Sequence, residues 1–144
     1  MTELLQHSLL TQSIDHITFA NKFADWKALG PDGEDAAYDF GKDGYYSAPL
    51  VDGNRVLRHV HLVPENDLDA LARWNRDWER YSRRSSDTAL VYAQDQLYGC
   101  LLIQVLWEPG AHEVSLMKTQ QHRELMNGFA QVAEHFVHTG KSLI

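Results

Sequence analysis

Residues 81–112 decide how this chain is read. They run Tyr81-Ser-Arg-Arg-Ser-Ser-Asp87, Thr88-Ala-Leu-Val-Tyr-Ala-Gln94, a short break, Leu101-Leu-Ile-Gln-Val-Leu106 and Trp107-Glu-Pro-Gly-Ala-His112. A polar segment with two arginines leads into two apolar runs rich in Val, Ile and Tyr. Turn residues bound both runs, and the second ends in Pro-Gly with a histidine just past it. Such short apolar runs predict two central strands, joined as a hairpin near Asp95–Gly99. Strands are rigid, so side chains at their ends are held in a fixed geometry.

Outward from the hairpin, residues Arg55–Val63 alternate. Val56, Leu57, Val60, Leu62 and Val63 interleave with Arg58, His59 and His61. This predicts a third strand with His59 and His61 on one face, because strand side chains repeat every two residues. Pro64-Glu-Asn-Asp67 ends that strand and caps a helix over Leu68–Glu79, whose apolar side is Leu68, Leu71, Ala72, Trp74 and Trp78. Toward the N-terminus, Ser13 or Asp15 caps a helix to about Leu29, with Ile14, Ile17, Phe19, Phe23 and Trp26 as its stripe. Gly30-Pro-Asp-Gly33 stops it. Leu4–Leu10 fits an edge strand or a helix start and is read here as strand. Residues Glu34–Gly53 are Gly-, Asp- and Tyr-rich and read as irregular. A final helix is expected over Ser115–Val137, with Gly140 after its end. The order predicts one α+β domain over residues 1–144, with helices packed on a small, largely antiparallel sheet.

The chain has 144 residues, 44% of them hydrophobic and 23% charged, which is the composition of a globular protein with a sizeable core. No apolar run approaches the ~18 residues of a membrane span. The N-terminus lacks the basic start and apolar core of a signal peptide, so the expected location is the cytoplasm. Cys100, the one cysteine, has no partner for an internal disulfide and reads as a structural thiol. The net charge of −7 argues against a generally sticky nucleic-acid binder. The charge is uneven, however. The first fifty residues are strongly acidic, whereas Arg73, Arg76, Arg80, Arg83 and Arg84 crowd a short segment. Arg73, Arg76, Arg80 and Arg84 are candidate RNA contacts; the plain alternative for Arg73, Arg76 and Arg80 is a solvated helix face.

The polar groups that could converge are His59, His61, Tyr81, Arg83, Asp87, Tyr92 and His112. There is no Gly-rich phosphate loop, no Gly-x-Ser-x-Gly elbow and no Cys-x-x-Cys pair. His59 and His61, with His112 as a third ligand, would make a metal hydrolase one reading. Without a cysteine cluster or a His-Glu-x-x-His helix, no metal and no other cofactor is expected. RNA cleavage needs a base for the 2′-hydroxyl proton, a cation for the phosphate and an acid for the leaving oxygen. Histidine suits the first and last tasks. Arginine suits the second. Each residue also has a plain alternative. Tyr92 fits the core, His59 or His61 a satisfied core histidine, Asp87 a turn, and Arg83 and Arg84 a solvated pair. His122, His135 and His138 fit a helix surface.

Taken in order, Phe40-Gly-Lys-Asp43, His59-Val-His-Leu62, Tyr81-Ser-Arg with Ser86-Asp87, Leu90-Val-Tyr92, Leu101-Leu-Ile103, Pro109-Gly-Ala-His112 and Ala133-Glu134-x-Phe136 resemble the YafO family of toxins. The likeness covers about residues 14–137. It implies a RelE/ParE-like toxin fold and a metal-independent, ribosome-dependent endoribonuclease of a bacterial type II toxin–antitoxin system. Its implied partners are a cognate antitoxin, the ribosome and mRNA, with a homo-oligomer open and no membrane. By the same likeness, Arg83 is the expected phosphate clamp and His112 a candidate acid or base. The strand with His59 and His61 would lie beside them, and Tyr81 and Asp87 complete the candidate catalytic set. A toxin fold that only binds an antitoxin or a ribosome is the alternative.

Overall fold

The computed structural model describes residues 1–144 and puts the predicted hairpin at the middle of the protein. Its strands are β5 (Ala89–Asp95) and β6 (Gly99–Leu106), turning between Asp95 and Gly99. The Asp95 carboxylate accepts from the backbone N–H groups of Leu97 and Tyr98, which sets the turn. The third predicted strand is β4 (Arg58–Leu62), antiparallel to β5. With β1 (Phe40–Tyr45) it completes a four-stranded antiparallel sheet in the order β1-β4-β5-β6. A small separate ribbon, β2 (Leu50–Val51) with β3 (Asn54–Arg55), lies beside it.

Helices α1 (Glu3–Thr11) and α2 (His16–Ala28) cover one face of the sheet. There Leu5, Leu9, Phe23 and Trp26 pack on Phe40, Val60, Leu62, Leu90, Tyr92, Leu102 and Val105. Helices α4 (Ala111–Leu116) and α5 (Gln120–Thr139) cover the other. Met126, Phe129, Val132, Ala133 and Phe136 pack there on Ala89, Val91, Ala93, Leu101 and Ile103. Helix α3 (Leu68–Glu79) sits at the margin. The class is α+β, consistent with a RelE-like toxin fold.

Several expectations are corrected. Leu4–Leu10 is helix, not strand. The Thr2 hydroxyl accepts from the Leu5 N–H and donates to the Ile103 carbonyl, so one residue caps α1 and ties it to β6. Leu5 and Leu9, one helical turn apart, are then both fully buried. Residues 34–53 are not all irregular, because β1 lies among them. Its Gly41, Lys42, Asp43 and Gly44 have little strand propensity, and only pairing with β4 makes them a strand. The final helix is broken in two. Met117 adopts a left-handed conformation and Thr119 caps a fresh helix through the His122 N–H. Helix α3 matches its predicted span, but only Trp74 is buried and Leu68 is 82% exposed. Ile17 on α2 is likewise exposed.

Candidate functional site

Helix α5 packs on the half of the sheet formed by β5 and β6. The candidate residues gather beside it, where α4 meets β4. His59 and His61 project from β4 together, with ring centroids 5.6 Å apart. Their neighbours Val60 and Leu62 point into the opposite core, which is the alternation read from the sequence. A shallow cavity of about 80 Å³ is lined by His59, His61, Tyr46, Ser86, Ala89, Ala111, His112 and Ser115. Three of the predicted histidines therefore share one cavity wall, contributed by β4 and α4. No group of three His, Cys, Asp or Glu side chains is arranged to hold a metal ion.

The two strand histidines differ in their environment. His59 stacks on Tyr46, centroids 3.9 Å apart and rings nearly parallel. Its Nδ1 is buried without a hydrogen-bond partner. Burial, and next the neighbouring His61, lower its pKa to about 4. His61 is held at Nδ1, which lies 2.7 Å from the Ser86 carbonyl and 3.0 Å from the Ser86 N–H. Burial lowers its pKa as well, the Ser86 contact opposes that, and the charges of Lys42 and Arg83 add to it. Both imidazoles are thus neutral near pH 7. A proton on Nδ1 donated to the Ser86 carbonyl leaves Nε2 of His61 as a proton acceptor. Ser86 is itself fixed, because its hydroxyl donates to the Leu62 carbonyl.

Asp87 does not orient an imidazole. Its carboxylate accepts from the backbone N–H groups of Gly110 at 2.6 Å and His112 at 2.8 Å. Gly110 has no side chain to cap α4, and Asp87 performs that task from the loop before β5. It places His112 at the cavity mouth, where His112 is exposed.

The arginines differ sharply in exposure and partners. Arg83 is half exposed and donates to Glu34 Oε1 from Nη2 at 2.8 Å and from Nε at 3.2 Å. It lies near enough for its charge to act on His61. Arg84 is fully buried and cannot face RNA. Its Nη2 donates to the carbonyls of Ala37 and Phe40, and its guanidinium lies over Trp78 and Trp74 at 4.7 and 5.3 Å. Arg84 is therefore a structural tie between β1 and α3, and its place among the RNA contacts is withdrawn. Arg73, Arg76 and Arg80 are exposed on or just past α3 and pair with no carboxylate. Tyr81, at a left-handed turn after α3, is 92% exposed and lies outside the cavity lining.

Tyr92 is core, as its apolar strand implied, and its hydroxyl donates to Asp43. Sequence reasoning missed Tyr46 and Ser86 as members of the site. Tyr46 lay in a stretch read as irregular, and Ser86 lay in a polar loop with no periodicity. A second cavity, of about 220 Å³ and mainly apolar, lies on the other face between α2 and the sheet. None of the candidate site residues lines it.

Compared with known families, residues 10–138 match the model of the toxin YafO of type II toxin–antitoxin systems. No curated protein matches. No solved structure matches either.

Proposed function

From the premise that the chain belongs to the YafO family of type II toxin–antitoxin toxins, we propose that it acts by cutting mRNA on the ribosome. A toxin of such a system has an antitoxin as its protein partner. No helix is long and apolar enough to cross a membrane. The observation that supports cleavage is the meeting of His59, His61 and His112 at one cavity.

The chemistry needs no cofactor. A neutral imidazole, His61 first, takes the proton of a ribose 2′-hydroxyl. The 2′-oxygen bonds to the adjacent phosphorus and the bond to the 5′-oxygen breaks. That oxygen leaves with a proton from an acid, for which His112 at the cavity mouth is the candidate. The products are a 2′,3′-cyclic phosphate and a 5′-hydroxyl. Negative charge grows on the phosphate as the 2′-oxygen attacks. Arg83 would stabilise it with donors that cannot lose their charge. The close Arg83–Glu34 pair favours one other reading, in which the fold binds an antitoxin or ribosome without cutting.

The experiment separates the two. Expressed without a partner, the protein should arrest growth by blocking translation. Arg83→Ala, His61→Ala and His112→Ala, each shown folded by circular dichroism, should keep ribosome affinity. Cleavage of translated mRNA should fall by ~10²–10³ for the arginine. It should fall by ~10²–10⁴ for at least one histidine. Arrest without any mRNA cleavage would establish the binding reading. If all three folded variants cleave at the parent rate, the active site lies elsewhere.

A further inference from the structure

Strand β1 carries a cation that the sequence did not single out. Its pairing with β4 slips between Phe40 and Asp43, so Gly41 and Lys42 form a bulge. The bulge is anchored from the core. The Lys42 N–H donates to the Arg84 carbonyl at 2.8 Å. A Cβ on Gly41 would collide with that same carbonyl and press on Trp74. The buried Arg84 in turn donates to the Phe40 carbonyl. The backbone at Lys42 is therefore held by buried groups although its side chain is exposed.

The direction of that side chain follows from its neighbours. Asp43 points to the α2 side, where it accepts from Tyr92, Arg58 and Lys27. Gly44 stands opposite His59 in the ladder, and a Cβ there would meet nothing within 4 Å. Lys42 belongs to the same face as Gly44, and its charge acts on both His59 and His61. Lys22, Lys27, Arg58 and Arg83 all pair with carboxylates, whereas Lys42 pairs with none. The open space over Gly44 is bordered by two neutral imidazoles and one uncommitted ammonium.

We propose that Lys42 is a second catalytic cation of this site, binding a non-bridging oxygen of the phosphodiester over the gap at Gly44. The assignment rests on the RNA-cleavage reading and adds to it a second cation on β1, beside Glu34-bound Arg83, whose Nη2 lies 3.5 Å from the Asp43 carbonyl. A lysine is a point charge with rotatable donors, so it can follow the phosphate as its geometry changes during attack.

The test uses the full chain with a defined mRNA on translating ribosomes, comparing Lys42→Met, Lys42→Arg and His61→Ala with the parent. Lys42→Met should cut ~10²–10³-fold more slowly. Its co-sedimentation with ribosomes should be unchanged, and Lys42→Arg should recover most of the rate. In NMR titrations, His59 and His61 should titrate higher in Lys42→Met than in the parent, because a nearby positive charge is gone. Parental cleavage by Lys42→Met beside an inactive His61→Ala would overturn the Lys42 assignment and leave the wider reading intact. Loss of ribosome binding in step with cleavage would make Lys42 a docking contact and also overturn it. Parental cleavage by all three variants would place the active site elsewhere and overturn this assignment, whereas a parent protein that cuts no mRNA would remove the wider reading.

Discussion

At the scale of single residues, His59 shows how placement alters chemistry without any change of side chain. Its ring is stacked on Tyr46 and its Nδ1 is buried without a partner. Desolvation lowers its pKa to about 4, well below the ~6.5 of an imidazole in water. The unfolded chain then binds a proton at this residue in a range where the folded chain does not. Stability is complete above about pH 6.5 and falls as the pH drops through 6.5 toward 4. His59→Phe keeps an aromatic ring on Tyr46 and removes both the titration and the orphaned nitrogen. The variant should therefore lose less stability than the parent between pH 7 and pH 5, measured as urea midpoints. His61 still contributes its own smaller dependence. An equal fall in both proteins would show that His59 is protonated as readily folded as unfolded.

At the scale of elements, the margin of the site depends on one buried arginine. Arg84 joins the start of β1 and the loop before it to helix α3 by hydrogen bonds to Phe40 and Ala37 and by lying over Trp74 and Trp78. Tyr38 strengthens the same junction, since its carbonyl accepts from the Trp74 indole and its hydroxyl bonds to Asn75. Arg84→Met keeps much of the volume but strands those carbonyls, and each stranded buried group costs about 1–3 kcal/mol. The expected loss is about 3 kcal/mol in urea unfolding. Lys cannot present the planar guanidinium over two indoles, so Arg84→Lys should rescue little. Full stability in Arg84→Met would mean that α3 is held by its tryptophans alone. The sequence reading of elements failed at the same margin. Arg83 and Arg84 were both expected to reach phosphate, yet one side chain is exposed and the other is buried. Adjacent residues in an extended loop point opposite ways, and only the packed neighbours decide which is inside.

At the scale of the whole molecule, the net charge of −7 conceals an uneven surface. Part of the acidity of the first fifty residues is already committed. Asp43 binds Lys27 and Arg58, Glu34 binds Arg83, and Asp39 binds Lys22. The arginines of α3 and its end remain unpaired and exposed, and they are the contacts proposed for ribosomal phosphate. Replacing Arg73, Arg76 and Arg80 together with Gln should weaken co-sedimentation with ribosomes. It should also flatten the salt dependence, because each lost phosphate contact releases fewer counterions. Circular dichroism should be unchanged, since none of the three side chains is buried. Identical co-sedimentation across a salt series would place the ribosome-facing surface elsewhere.

By itself the sequence determined the central hairpin, the β4 strand with His59 and His61 on one face, helices α2 and α3, and the α+β class. Those features rest on local signals: period-two alternation, side-chain caps at Asp15 and Asp67, and a turn set by Asp95. The ordered short motifs also carried the family. Tertiary structure alone decided that β1 is a strand, because its Gly- and Asp-rich residues need a partner ladder. It decided that Asp87 caps α4 across a gap of more than twenty residues, that Arg84 is core, and that Lys42 faces the histidines. It also brought α4 against β4, so that His112 shares a cavity with His59 and His61. A sequence records which groups are available, but exposure and charge depend on which chain segments pack above them.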